Sequence, residues 1–355
     1  MTLTGKSILV TGGTGSLGRT LVRRLLSGEL GRPRKVIVFS RDEAKQNDMR
    51  LAYANRRAVG ADQGILRNFM NVLEFRIGDV RSYAEVCTAM RSADIVINAA
   101  ALKQVPTCEY FPEQALLTNC VGAANIVRAI GENGYPVQTV VGVSTDKACK
   151  PVNVMGMTKA VQERIFIAAN VLTPATRFIC VRYGNVLASR GSVVPLFLEQ
   201  IRAGGPVTLT VPSMTRFLLS LDQAVDTVIA ALRDAKRGET YIPRAPAATV
   251  ENIARALIGK RPVKIREFGI RPGEKMHEIL ISEEEVNHCE RRGGYYAILP
   301  MLPELRRGAG APRNALRKEF SSADTVLDLK GTAALLRRHR LMPEDNPLAE
   351  AELLR

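Results

Sequence analysis

Tryptophan is absent from the 355 residues, histidine occurs only three times, and aromatic residues make up 5%. Six cysteines are scattered along the chain (Cys87, Cys108, Cys120, Cys149, Cys180 and Cys289), and no C-x-x-C pair occurs. That spacing excludes a zinc ribbon and a thioredoxin-like redox pair, and the isolated histidines argue against a histidine-based metal site. No metal is expected, and the cysteines read as small buried apolar residues. No apolar run approaches the roughly 20 residues that span a bilayer. Met1-Thr-Leu-Thr-Gly-Lys6 runs straight into a strand and lacks the form of a signal peptide. Cytoplasmic residence without membrane contact is the expectation. The formal net charge is +15, yet no run of five or six like charges occurs. No aromatic-interleaved basic motif appears either, which argues against nucleic acid and leaves an anionic small substrate to account for the basic balance.

What is present is ordinary for a soluble globular chain: 46% hydrophobic and 24% charged residues, with length enough for a large core. Short apolar runs alternate with helical patterns. Strands are expected at Lys6–Val10, Lys35–Phe39, Leu73–Ile77, Ile95–Asn98, Thr139–Val143 and Arg177–Arg182. Six strands alternating with helices define an α/β fold with a doubly wound parallel (Rossmann) sheet. The stretch from Pro112 to Asn133 reads as one long helix. Residues 1–184, with returning segments from 218–244, form the expected nucleotide-binding domain. After Tyr183 the periodicity changes, and 185–300 reads as a smaller, interwoven substrate lobe. Residues 301–355, richer in Arg, Gly and Pro, form a C-terminal extension.

Three stretches carry chemistry. Gly12, Gly15 and Gly18 follow the first strand and open a helix, the context that makes a glycine triplet a dinucleotide fingerprint. The backbone there must turn tightly and approach a pyrophosphate at the positive helix end. At the tip of the second strand, Ser40-Arg41-Asp42 puts an arginine where the extra phosphate of NADP would lie, which favours NADP over NAD. The competing reading is that Asp42 caps the next helix and Arg41 is solvated. Asp79, at the tip of the third strand, is placed to accept from an adenine amino group. Ala99, Ala100 and Ala101 let a flat ring or a ribose lie close to the backbone. The third stretch runs from Val143 to Lys159. Thr145, Asp146 and Lys147 fall outside the carboxyl end of the fifth strand, where ligands bind in open α/β sheets. Met155 and Lys159 are four apart and share a helix face. Ser-Thr-Asp is also a common turn and cap composition, so the triplet alone leaves a structural role open.

Taken together, Thr11-Gly-Gly-Thr-Gly-Ser-Leu-Gly18, Phe39-Ser-Arg-Asp-Glu43, Ala99-Ala-Ala-Leu-Lys-Gln-Val-Pro106, Ser144-Thr-Asp-Lys-Ala148, Arg182-Tyr-Gly-Asn-Val-Leu-Ala-Ser-Arg-Gly-Ser192, Met214-Thr-Arg-Phe217 and Arg271-Pro-Gly-Glu-Lys-Met-His-Glu278 resemble the extended short-chain dehydrogenases/reductases. More narrowly, the chain is similar to soluble bacterial nucleotide-sugar dehydratases that act on UDP-N-acetylglucosamine. The resemblance covers about residues 5–300. It implies NADP held by Gly12, Thr14, Gly15, Ser16, Leu17, Gly18, Ser40, Arg41, Lys45, Asp79, Val80, Ala99, Ala100, Ala101, Lys103, Asn119 and Lys159. It implies a UDP-sugar held by Lys103, Asn185, Ser189, Ser192, Val193, Pro195, Met214, Thr215, Arg216, Arg271 and Glu274. Oxidation at C4 of the hexose would acidify the C5 proton. Lys147 would remove that proton while Asp146 protonates the departing 6-hydroxyl, giving a 4-keto-6-deoxy sugar. Thr145 would bond the 4-oxygen, and Lys159 the nicotinamide ribose. Relatives assemble into oligomers, so a homo-oligomer is expected. One departure stands out: short-chain dehydrogenases usually carry Tyr where this chain has Met155, which leaves the base for the C4 hydroxyl unassigned. A sugar epimerase and a catalytically silent nucleotide-binding protein are the alternatives.

Overall fold

A computed structural model describes residues 2–54, 69, 71–187, 192–306 and 315–345. The expected strands form as β1 (Ser7–Thr11), β2 (Lys35–Ser40), β3 (Leu73–Ile77), β4 (Ile95–Asn98), β5 (Thr139–Val143) and β6 (Arg177–Val181). Every residue of β1, β4 and β5 is buried, as a strand covered on both faces requires. Their side chains divide by alternation. Ile8, Val10, Ile95 and Ile97 join one core with Leu21 and Leu25, while Leu9, Ile37, Val96 and Val140 join another with Ala123, Ile126 and Phe166. Each such side chain contributes about 1.5–3 kcal/mol when fully buried.

The sheet has nine strands rather than the six expected, in the order β3-β2-β1-β4-β5-β6, then Thr240–Pro243, Tyr295–Ile298 and Cys289–Arg292. Thr240–Pro243 pairs parallel to β6, and the last two strands form an antiparallel hairpin on that edge. The strand order reverses between β1 and β4. That is the switch point at which an open α/β sheet leaves a crevice beyond its carboxyl ends.

The stretch expected as one helix is three. Pro112–Leu116 and Gly122–Asn133 are α-helical, and Leu117–Val121 between them is a π-turn. Thr118 lines the cavity at the mouth of the sheet, Asn119 is buried behind it, and Ala123, Ile126 and Ile130 pack in the core. Asn119 spends its amide on the backbone of Leu102 and on the Thr158 hydroxyl.

Over the carboxyl edge lies a second core of Phe197, Leu198, Met214, Ile253, Leu257 and Leu336. Its four-stranded sheet runs Val326–Leu327, Ala247–Thr249, Thr215–Leu219, Asn185–Val186. Ser220 and Thr249 cap the helices Leu221–Asp234 and Val250–Ile258 as their positions suggest. The described part of the C-terminal extension is stitched into this region. Phe320–Ser321 pairs with Ile279–Ile281, and the helix Leu329–Arg338 packs on Val250–Ile258. Among the described residues no helix is long and apolar enough to cross a membrane.

Candidate active site

A cavity of about 1210 Å³ opens between the carboxyl ends of the strands and the second core. One end is the β1–α1 turn. Gly12 adopts a positive φ of 64°, and a Cβ there would stand 2.8 Å from the Ala100 backbone. A Cβ on Gly18 would come within 2.5 Å of Gly13. Glycine alone fits both places. The helix α1 (Ser16–Ser27) that follows has no side-chain cap and no acidic residue in its first turn. Its positive end is therefore left to an anion. Thr14, Gly15, Ser16, Leu17, Ser40, Arg41, Lys45, Asp79, Val80, Ala99, Ala100, Ala101 and Lys103 line the same wall. The crevice thus fits a dinucleotide.

At the β2 tip the capping expected of Asp42 forms. Asp42 does bind the Lys45 backbone N–H in the turn opening the next helix, and it also pairs with the Lys45 amine. Arg41 is not simply solvated: its guanidinium lies 3.5 Å from the Asp79 carboxylate. Arg81 bonds that carboxylate too, and the two arginines offset burial to hold Asp79 below the ordinary carboxylate range.

Beyond β5 the backbone makes a short 3-10 turn, Asp146–Ala148, capped by Thr145. The helix Val154–Leu172 starts tight against it, because a Cβ on Gly156 would lie 2.2 Å from the Lys147 carbonyl oxygen. The Lys147 amine lies in the cavity wall. It is 3.1 Å from Asp146 Oδ1, 3.3 Å from Glu278 Oε1 and 3.4 Å from Asn185 Oδ1. Thr145 Oγ1 donates to the same Asp146 oxygen at 2.9 Å. Burial pushes Asp146 upward, helped by the nearby Glu278 charge. Burial works against the Lys147 cation, but the two carboxylates outweigh it and the amine is raised. For Glu278 the balance falls the other way: Lys147 and Arg216 overcome burial and lower it.

Lys159 also lines the cavity, donating to Gln162 Oε1 at 2.6 Å; burial brings its amine down to about 8. Met155 lines the wall beside it and packs with Cys108 and Ala115. Arg216, Arg271, Glu274, Asn185, Ser192 and Val193 approach from the other side. Arg271 lies over the Phe268 ring at 4.7 Å.

Several expected contacts fall elsewhere. Asp146 is wholly buried and does not line the cavity. Its Oδ2 has no partner and lies under Gly184, where an added Cβ would come within 3.2 Å of it. Asn119 is likewise behind the wall, because its amide is used to fix Leu102 and Thr158. Pro195, Met214 and Thr215 are outside the lining. Met214 and Thr215 instead support Arg216, through the Met214 sulfur at 3.5 Å and the Thr215 carbonyl at 2.8 Å. Ser189 is outside the described residues.

Glu278 escaped the sequence reading. It closes the charge-dense Arg271–Glu278 motif, it is 2% exposed, and it touches both Lys147 and Arg216. The readable signal was a glutamate at the end of that motif, four residues after Glu274.

Fold and site define a nucleotide-sugar-modifying enzyme of the extended short-chain dehydrogenase/reductase kind, a class that works with a nicotinamide cofactor. The sequence matches the profile of the polysaccharide biosynthesis protein family over residues 8–300, and the chain belongs to that family. It is 45% identical over 341 residues to a UDP-glucose 4-epimerase of Rickettsia akari, covering 93% of this chain and 95% of that one. A UDP-glucose 4-epimerase of Rickettsia typhi is 42% identical over 342 residues, with the same coverage of 93% and 95%. Pen from Bacillus thuringiensis superposes with a TM-score of 0.85 at 31% identity, covering 96% of this chain and all (100%) of Pen. DesIV, a dTDP-glucose 4,6-dehydratase of Streptomyces venezuelae, reaches a TM-score of 0.65 at 20% identity over 94% of this chain and 98% of its own, a likeness of fold. The expected family thus holds at the level of nucleotide-sugar dehydratases and epimerases, while the Rickettsia relatives carry the epimerase name.

Proposed function

We propose that the protein is a UDP-N-acetylglucosamine 4,6-dehydratase that forms a UDP-4-keto-6-deoxy-N-acetylhexosamine for surface glycan synthesis. The observation that carries this reading is the Lys147 amine in the cavity wall, in contact with a carboxyl group that burial pushes upward. Removing water across C5 and C6 needs a base and an acid besides whatever acts at C4. A C4 epimerase needs no such pair.

A bound nicotinamide supplies reversible oxidation at a sugar carbon. Gly12 to Leu17 would hold its pyrophosphate, and Lys159 its ribose. Arg41 and Lys45, cations on the wall at the β2 tip, support NADP. DesIV and an epimerase of Thermus thermophilus were solved with NAD, so NAD is the competing cofactor. Thr145 bonds the sugar 4-oxygen. Lys147 takes the C5 proton; Asp146, the acid for the 6-oxygen in this reading, is buried with its Oδ2 unpartnered beneath Gly184. Arg216 and Arg271 hold the diphosphate, guanidinium against phosphate. The reading includes cytoplasmic residence and self-association. Tyr110, Phe111, Leu116, Met157 and Val161 leave exposed apolar surface on neighbouring elements that a second copy would cover.

Incubation with NADP and UDP-N-acetylglucosamine in heavy water tests the reading. The expected product is lighter by one water before isotopic correction and carries deuterium at C5. A product isomeric with the substrate would instead support UDP-glucose 4-epimerase chemistry, the second reading, which the names of the Rickettsia relatives favour.

A further inference from the structure

The Lys147 ammonium has three N–H donors and three oxygen acceptors within reach: Asp146 Oδ1 at 3.1 Å, Glu278 Oε1 at 3.3 Å and Asn185 Oδ1 at 3.4 Å. Every donor is thus directed at protein. Of the acceptors, Asn185 is neutral and Asp146 already takes a hydrogen bond from Thr145. Glu278 is the carboxylate that faces Lys147 from the opposite lobe. Its own position is fixed by Ser322. Its backbone N–H donates to Ser322 Oγ at 2.9 Å, and its carbonyl accepts from Ser322 N–H at 2.8 Å. Ser322 Oγ is in turn 2.6 Å from Thr215 Oγ1, on the strand that carries Arg216. Glu278 Oε2 is sealed from solvent and has no partner. A carboxylate held this firmly, half unsatisfied, and 2% exposed is costly unless its charge is used.

We propose that Glu278 is a positioning residue for the proposed base: it fixes the Lys147 amine at the cavity wall from the substrate lobe and determines how tightly that amine keeps its proton. The inference rests on the reading of Lys147 as base. The charged groups facing this pair are Asp146 from the 3-10 turn, Arg216 from the strand Thr215–Leu219, and Lys275 from Glu278's own segment. Asp146 and Glu278 favour the ammonium, and Arg216 opposes it.

The test is Glu278→Gln, which keeps size and an acceptor but removes the charge. Two measurements are made on the full chain with cofactor. One is the pH profile of turnover. The other, independent of turnover, is an NMR titration of the reductively methylated Lys147 amine, assigned by its loss in Lys147→Arg. The limb on which Lys147 deprotonates, and the amine titration with it, are expected to move lower by about one pH unit or more. Glu278→Asp, which keeps the charge, should leave both near their wild-type positions while lowering kcat more than it raises KM. Should Glu278→Gln fail to fold, Glu278→Asp decides, because a shift there as large as expected for Gln overturns the charge role. An unmoved titration in a folded Glu278→Gln protein also overturns it. Absence of C5 exchange in the wild-type protein refutes the dehydratase reading alone, since the amine titration still decides what Glu278 does.

Discussion

Two buried charge clusters lie within this molecule, and they are built to opposite rules. In the first, Arg182 donates to Glu163 at 2.7 and 3.1 Å and to Glu285 at 2.8 and 3.0 Å, with one more bond to the Leu280 carbonyl. Both glutamates have all their oxygens partnered. In the second, Lys147 joins Asp146 and Glu278, and one oxygen of each carboxylate is orphaned. The first cluster ties β6 to the helix Val154–Leu172 and to the segment after Ile281. The second joins the 3-10 turn after β5 to the residue before Ile279–Ile281 and opens on the cavity. A buried ion network that is fully satisfied fixes one arrangement. One that is left short of partners keeps capacity for a ligand. On the proposed function, the second is the working cluster and the first its frame.

The comparison can be broken by removing the central cation of each. Lys147→Met should lower kcat by on the order of 10²–10⁴-fold, the usual range for a lost acid or base group, and should cost less stability than the loss of Arg182, because Asp146 already favours its proton and Glu278 keeps Arg216 beside it. Product mass analysis beside thermal melts checks both halves. Arg182→Met should do the reverse and cost about 3–5 kcal/mol of stability, since two buried carboxylates lose their cation. Urea unfolding would show it, and a change below 1 kcal/mol would sink the distinction.

The two carboxylate partners sharpen it through pH. Glu285 is held below its unfolded value by Arg182 against the cost of burial, so it adds stability above about pH 4.3 that is lost as pH falls. The melting gap between wild type and Glu285→Gln should therefore close on acidification. Asp146 is raised by burial, so its folded form prefers the proton and costs stability once pH rises past its unfolded value. Asp146→Asn should then melt higher than wild type at pH 7 while turning over more slowly. The smallest effect concerns Lys159. Burial lowers its amine to about 8, so cofactor should bind more weakly at pH 9 than at pH 7. Calorimetric titration of Lys159→Met should show that dependence gone.

Much of this was legible in the residues. The parallel strands announced themselves because a strand buried on both faces is a near-continuous apolar run, as Ile8–Val10 in β1 and Val140–Val143 in β5 are. The glycine turn and the Thr145-Asp146-Lys147 triplet were placed by the strand ends before them. The hairpin that widens the sheet was missed although Gly293-Gly294 is a two-residue turn signal, with Gly293 at φ 60°. One of its strands carries Glu290, Arg291 and Arg292, and the other, Tyr295–Ile298, is an apolar run of only four residues, too short to read as a strand of the sheet by itself. The sealing of Asp146 beneath Gly184 and the approach of Glu278 to Lys147 bring together residues far apart in the chain. Periodicity carries no such distance information. The π-turn was hidden for another reason: Leu117–Val121 holds no Gly or Pro to break a helix, and the bonds of Asn119 to Leu102 and Thr158 that accompany the turn are made across the fold.

That bulge bears on the gene rather than on the reaction. A π-turn spends one residue more than the α-turn it replaces, so a single deletion within Leu117–Val121 would be absorbed by a return to regular helix, with the halves on either side kept in phase. What such a deletion would lose is the reach of Asn119 to Leu102 and Thr158.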